Sequence, residues 1–312
     1  MPITTTTPAQ FTADTVADIY RRMLVGNELA PHFRSEVSVT KPRVLPLIDG
    51  DANLLQTSVD NPRIGTNDSG AVLISPKLLA VNEAMVFTSI NVDDWRADFP
   101  EFQPSGNMLD LTLDGEVSGA VMDIIHNRVE SQIADNLIQG DTATGSTLKF
   151  TDGLLKKIDA DADVIDVANA GVITTTNILA ILESCAQAIP TTIRKRANVK
   201  FFMSYGTEDI ANEANRSTQQ NNTLLNTGDV SRVFNKYPIV PLESIPADRI
   251  VVAIGDTSKT SNLVQGFWFQ NDAANFMMYK EAMGDKDWAI IFRFLMGMQY
   301  RTGKEIVNYL GT

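Results

Sequence analysis

Side chains able to do acid–base or nucleophilic work near neutral pH are few in this chain. There are two histidines, His32 and His126, and one cysteine, Cys185. One cysteine allows no internal disulfide, and the set is too small for a zinc site built from Cys and His. Cys185 falls on the apolar side of an expected helix, where a thiol acts as a small buried hydrophobe. His126 is expected on the surface or at an interface. His32 follows Pro31 in a loop and has no evident acid partner.

Two stretches come close to known ligand loops and then depart from them. Gly297 to Lys304 resembles a phosphate-binding loop, but its spacer is one residue too long. Glu305 also stands where a magnesium-binding Ser or Thr is needed. Asp159-Ala160-Asp161-Ala162-Asp163 resembles the start of a calcium loop. Val164 takes the place of the glycine that makes the sharp turn, so an acidic turn is expected. There is no Gly-x-Ser-x-Gly elbow and no Gly-x-Gly-x-x-Gly fingerprint. No catalytic residue, cofactor or metal site is therefore expected.

The elements that would position any site account for most of the sequence. The chain has 312 residues, 44% of them hydrophobic and 21% charged, which is enough apolar material for a full core. Its net charge is -12, the opposite of what a dedicated nucleic-acid binder carries. The excess is local, because residues 51–150 hold five basic and fifteen acidic side chains. The start carries no signal-peptide pattern and no apolar run could span a bilayer, so no membrane partner is expected.

Residues 1–33 read as a polar arm with a short amphipathic helix on Val16, Ile19, Tyr20, Met23 and Leu24. Residues 34–78 read as an extended hairpin. Its expected strands are Val37–Thr40 and Ala71–Ile74, and they flank a turn-rich middle. Such an arm buries little of itself and needs a partner surface. The strongest helix spans 114–139, with Val117, Val121, Ile125, Val129, Ile133 and Leu137 recurring every four residues. A second helix is expected at Thr175–Ile189 and a short one at Thr207–Ala214, with a long loop over 215–229. Strands are expected at Val199–Ser204, Ile239–Leu242, Arg249–Ile254, Val264–Phe269, Phe276–Lys280, Ala289–Gln299 and Lys304–Tyr309. Arg194-Lys195-Arg196 lies beyond a helix C-terminus, where cations satisfy terminal carbonyls. It is also a candidate contact for nucleic acid or a neighbouring subunit.

The order of these elements, with several short signatures, resembles the major capsid proteins of tailed bacteriophages, the HK-ninety-seven-type fold. Gln139-Gly140-Asp141 through Phe150-Thr151-Asp152-Gly153-Leu154-Leu155 resembles that family's junction after the spine helix. Phe201-Phe202-Met203-Ser204 resembles its aromatic strand. Tyr237-Pro238-Ile239-Val240-Pro241 and Ile245-Pro246 resemble its Gly-x-Pro-Val segment. Asn262 to Phe267, Phe276-Met277-Met278, Ala289 to Arg301 and Lys304-Glu305-Ile306-Val307 resemble its closing strands.

The resemblance implies an α+β fold. It comprises an arm (1–33), an extended loop (34–78), a peripheral domain (79–153) with spine helix 114–139, an axial domain (154–275), and strands returning to the peripheral domain (276–312). It implies a shell subunit that forms hexamers and pentamers of an icosahedral head around double-stranded DNA. A portal and decoration proteins are further implied partners, and the short arm implies a separate scaffolding protein or none. The site of action would be the virion, assembled in the cytoplasm of a bacterial host. An encapsulin-type nanocompartment around a cargo enzyme is the alternative.

Candidate inter-subunit residues on the loop are Lys41, Arg43, Asp49, Asp51, Asp60, Arg63 and Asp68. Asn215, Arg216, Gln219, Asn221 and Asn222 are candidates for the capsomer centre. Arg194, Lys195 and Arg196 are candidates for the inner face. Some family members cross-link neighbours through a loop Lys and an Asn assisted by a Glu. Lys41 and Lys77 flank the loop here, but Gly284–Phe292 holds neither Asn nor Glu, so no cross-links are expected.

Overall fold

A computed structural model describes residues 27–50, 58, 72–91, 115–143, 148–219, 232–268, 276–280 and 287–311. The strands are β1 (Arg34–Val37), β2 (Arg43–Gly50), β3 (Val72–Leu79), β4 (Asn82–Asn91), β5 (Ile165–Asp166), β6 (Val199–Met203), β7 (Val233–Phe234), β8 (Tyr237–Pro241), β9 (Arg249–Ile254), β10 (Leu263–Trp268), β11 (Phe276–Lys280), β12 (Asp287–Tyr300) and β13 (Val307–Leu310). The helices are α1 (Gly115–Gln139), α2 (Leu154–Ala160), α3 (Ile178–Ala188) and α4 (Tyr205–Gln219).

Two sheets and a ribbon organise these elements. One sheet runs β1-β10-β12-β11, and β4 pairs along the opposite edge of the 14-residue β12. The second runs β5-β13-β9-β6-β8-β7. The ribbon is the antiparallel pair β2–β3.

The second sheet is covered on both faces, and the two-residue period of a strand sorts its side chains between two cores. In β6, Val199, Phe201 and Met203 join one core and Phe202 the other; in β9, Ile250, Val252 and Ile254 join the first, and Val251 and Ala253 the second. The first core is closed by α3 and α4 through Ile178, Ile181, Leu182, Cys185, Ala211 and Ala214. The second is shared with α1, α2 and the first sheet through Val129, Ile133, Leu137, Leu154, Phe267, Phe292 and Tyr300. Both faces being buried explains why β9 reads as an unbroken apolar run after Arg249.

Sheet membership differs from the boundaries expected from sequence. β10 belongs with β12 and β4, and β13 crosses into the second sheet beside β9. The 3-10 turn Gly303–Glu305 carries the chain between the sheets. The first expected hairpin strand also moves. Ser38 has φ 72, so β1 stops at Val37 and pairs in parallel with β10 instead. The ribbon begins at Arg43, just after Pro42.

α2 was not expected, being only seven residues long. α4 runs to Gln219, so 215–219 is helical and not loop. Its start is capped by Ser204, whose Oγ accepts from the Thr207 N–H at 3.1 Å. α3 starts three residues late because Asn177 ties up the preceding turn, accepting from the Thr174 N–H at 2.8 Å. The helix expected at 16–24 lies outside the described residues.

Candidate assembly surfaces

The 25-residue α1 spans about 37 Å at 1.5 Å per residue. Val129, Ile133 and Leu137 of its stripe are buried, and Ile125 packs against the same core half-buried. Val117 and Val121 sit in the first turns, where only the backbone is described.

The end of α1 is fastened by two glycines in contact. Gly140 donates its N–H to the Asn136 carbonyl at 3.0 Å, and its carbonyl accepts from the Gly153 N–H at 2.7 Å. A Cβ on Gly140 would stand 2.2 Å from the Thr151 carbonyl oxygen, and one on Gly153 2.5 Å from the Gly140 nitrogen. No other residue fits either place. Around this seam, Lys156 Nζ donates to Asp141 and Asp152 at 2.6 Å each, and the Thr142 N–H and hydroxyl donate to Asp152. The lysine holds the Asp152 carboxyl down at about 2.

The root of the ribbon is clamped to the body. Lys77 Nζ pairs with Asp161 and lies 3.8 Å from the centre of the Tyr300 ring. The Tyr300 hydroxyl donates to Asp161 at 2.7 Å. Burial, and this bond to a carboxylate, push the phenol well above its usual range. Gln299 Nε2 donates to the Leu78 carbonyl at 3.0 Å. Beneath the clamp, Leu45 and Leu79 pack with Val39 and Val264. Next to it Lys157 donates to the Met298 carbonyl, and burial pulls its amine down to about 8.

Sequence reasoning missed this clamp. The acidic run 159–163 was legible, although Asp159 and Ala160 close α2 and only the rest is turn, but the partners of two of its three aspartates were not. Asp161 holds Lys77, and Asp159 forms a two-pronged pair with Arg249, Nη1 to Oδ1 at 2.7 Å. The partners lie 84 and 90 residues away, and no local pattern announces them.

Beyond its root the ribbon shows an apolar face. Val44 and Leu78 oppose each other and are 53% and 50% exposed. Pro46 opposes Pro76. Residues 48 and 74, both Ile, pair two positions further along. A pair of prolines has no N–H to exchange, so their nitrogens face the outer edges of both strands. Mid-ribbon, neither edge offers a donor to an added strand there. A second exposed apolar pair, Met85 and Phe87, lies on the outward face of β4 at 48% and 61%.

The remaining sequence candidates fall as follows. Lys41 is exposed, Arg43 pairs with Glu36 at 2.7 Å, and Asp49 lies in β2 opposite Leu73. Asp51, Asp60, Arg63 and Asp68 lie outside the described residues, as do Asn221 and Asn222. Asn215 and Arg216 are exposed on α4, and Gln219 ends it. Arg194 Nη2 donates to the Gln187 carbonyl near the end of α3 at 2.7 Å, the terminal role expected for it. Lys195 and Arg196 are exposed.

The histidines are apart from one another. His32 stacks edge-on to Phe202 with its Nδ1 3.2 Å from Lys200 Nζ, and burial lowers its pKa, helped by Lys200. His126 meets Glu130 one turn along α1 at 3.5 Å. Cys185 is fully buried, and burial pushes its thiol up to about 12. Among the described residues no three His, Cys, Asp or Glu side chains converge to hold a metal ion. No helix among them is long and apolar enough to cross a membrane.

No family model matches the chain, and no curated protein does. Solved structures do match. A chain of the procapsid of satellite phage P4, solved with its size determination (Sid) protein, aligns with a TM-score of 0.58 at 9% identity, over 96% of this chain and 99% of that one. A chain from Gordonia phage Cozz aligns at 0.55 and 11% identity, over 90% and 84%. The capsid of an empty GTA particle aligns at 0.55 and 11% identity, over 100% and 94%. The chain therefore has a mixed α/β fold shared with phage capsid structures, at identities where sequence alone does not register.

Proposed function

We propose that this chain is a capsid shell subunit, the major capsid protein of a tailed-phage-type particle. In this reading it forms hexamers and pentamers of an icosahedral head that encloses double-stranded DNA. The observation that carries the reading is the likeness to capsid structures over nearly the whole of both chains. Two physical features support it. A two-stranded ribbon is marginal in water by itself, yet this one is clamped firmly at its root and offers an apolar face. Its prolines discourage strand addition, so it engages a neighbouring copy by side-chain contact. The other support is that, among the described residues, the histidines and the cysteine lie apart and several buried ionisable groups serve structural pairs such as Lys77–Asp161 and Arg249–Asp159.

Within this reading the ribbon is the extended loop of an HK-ninety-seven-type subunit, and α1 is the spine helix. The first sheet and α1 make the peripheral part, while the second sheet with α3 and α4 makes the axial part. Residues 215–222 face the capsomer centre. A separate scaffolding protein, a portal and decoration proteins are the further partners, and assembly takes place in a bacterial cytoplasm before the protein resides in the virion. Enclosure of DNA needs no sequence-specific contact, and the acidic balance suits a wall that releases its contents. The comparisons lend no support to the encapsulin alternative. The test is the content of particles purified after nuclease treatment. Protected double-stranded DNA in particles from a natural source supports the reading, and a protein cargo without DNA overturns it.

A further inference from the structure

The second sheet carries opposite charge at its two ends. β6 and β8 begin, and β9 finishes, at one end, as their pairing requires. The segment 190–198 and the turn Asn235-Lys236 meet there, with the Tyr237 hydroxyl donating to the Arg194 carbonyl at 3.2 Å. Lys195, Arg196 and Lys236 are exposed at this end, and none is in an ion pair with a described residue. Asp256, which follows β9 at this end, accepts from the Ser258 hydroxyl and the Thr257 N–H.

At the other end β6 leads into α4, and β8 leads into the turn 242–248. Leu242 N–H donates to the Met203 carbonyl at 2.8 Å, and the Thr207 hydroxyl donates to the Ala247 carbonyl at 2.7 Å. Asp209 and Glu243 are exposed there, and Asp135 and Asp248 are half-buried. The cations at this end are already engaged, Arg232 by Glu208 and Arg249 by Asp159. Burial, with Glu28 and Glu243 adding to it, raises the pKa of Asp135, as unbalanced negative charge requires. Strands of five or six residues set the two ends about 20 Å apart.

We propose that these ends are the two halves of a head-to-tail contact between copies of this chain. The Lys195–Arg196–Lys236 end of one copy seats against the Asp209–Glu243–Asp248 end of the next. A contact between two different patches propagates round a ring and closes when the rotation per copy divides the circle. Opposite charge on the patches fixes direction and speeds encounter, while copies meeting like to like repel. The contact rests on the shell reading and adds to it which surfaces join neighbours and why the ring has a direction.

The test uses the full chain and three variants. One carries K195E, R196E and K236E, the second D209K, E243K and D248K, and the third all six. All six positions lie at the surface or half-exposed, and circular dichroism checks that each variant folds. The assembled fraction is read by light scattering and negative-stain microscopy in low salt. Each triple variant is expected to lose assembly about tenfold or more. The six-fold variant, with its charges exchanged, is expected to return to within about twofold of wild type. Assembly of the wild type should fall as salt rises. Wild-type particles with no rescue in the six-fold variant overturn the contact alone. A basic-end variant that assembles normally but holds less DNA also overturns it, and assigns that end to the enclosed polyanion. A wild-type chain that never leaves the monomer overturns the contact and the shell reading together.

Discussion

Replacing Gly140 by Ala probes the joint between α1 and α2. The added Cβ would lie 2.2 Å from the Thr151 carbonyl oxygen and 2.3 Å from that of Asn136. Both are backbone atoms, so no side chain can swing away. Ordinary contact needs about 1 Å more on each side, and an interior packed to crystal density resists that. Overpacking of this sort costs about 1–3 kcal/mol. Parting the seam also weakens the 2.7 Å bond from Gly153 to Gly140, worth about 1 kcal/mol. The expected loss for Gly140→Ala is about 3 kcal/mol, a large share of a typical stability.

Gly153→Ala meets Gly140 N and the Ile138 carbonyl at 2.5 Å each and should cost a similar amount. Because both changes open the same seam, the double variant should be more stable than the summed single losses predict, by about 1 kcal/mol or more. Urea unfolding of unassembled subunits followed by circular dichroism measures all three. A Gly140→Ala loss below about 0.5 kcal/mol, or strict additivity of the pair, would mean that the two glycines do not share a tight seam.

Other expectations follow from the same contacts. Burial pulls Lys157 down to about 8 from 10.5, so above pH 8 the folded state sheds a proton that the unfolded chain still keeps. Stability should therefore rise between pH 8 and 10, on the order of 1–2 kcal/mol for this group, and Lys157→Met should remove that rise in denaturant titrations at the two pH values. Leu137 is fully buried beneath α1, and Leu137→Ala should cost about 2–5 kcal/mol in the same assay. Cys185 should resist thiol reagents until the chain unfolds, so labelling of the native protein at pH 8 would contradict its placement. Lys77 is held by Asp161 and Tyr300, and denaturing electrophoresis of mature particles should show single chains; a ladder of multimers that boiling does not remove would contradict this.

The legible parts of the sequence were those with a short period. The stripe from Val117 to Leu137 located α1 to within one residue of its observed start. The apolar runs at 199–203 and 249–254 located β6 and β9. The seam glycines were visible as a signature, although their mutual contact was not. What escaped depended on distant partners. The stop at Ser38 is a backbone conformation that composition does not announce. α4 passed for a loop beyond Ala214 because Asn215, Ser217 and Thr218 are weak helix formers and no apolar residue continues the stripe there. The clamp of Lys77, Asp161 and Tyr300 joins three places that only the folded chain brings together. The charged ends of the second sheet were half visible as Arg194-Lys195-Arg196. Their counterpart is assembled from α1, α4 and the turn 242–248, and no contiguous segment contains it.

Electron microscopy of the purified chain, together with any scaffolding partner, decides whether it builds a shell. Closed particles of uniform diameter are expected, built from rings of six and five subunits, with each ribbon reaching over a neighbour. A chain that stays monomeric under all assembly conditions, or forms only irregular aggregates, would contradict the shell reading.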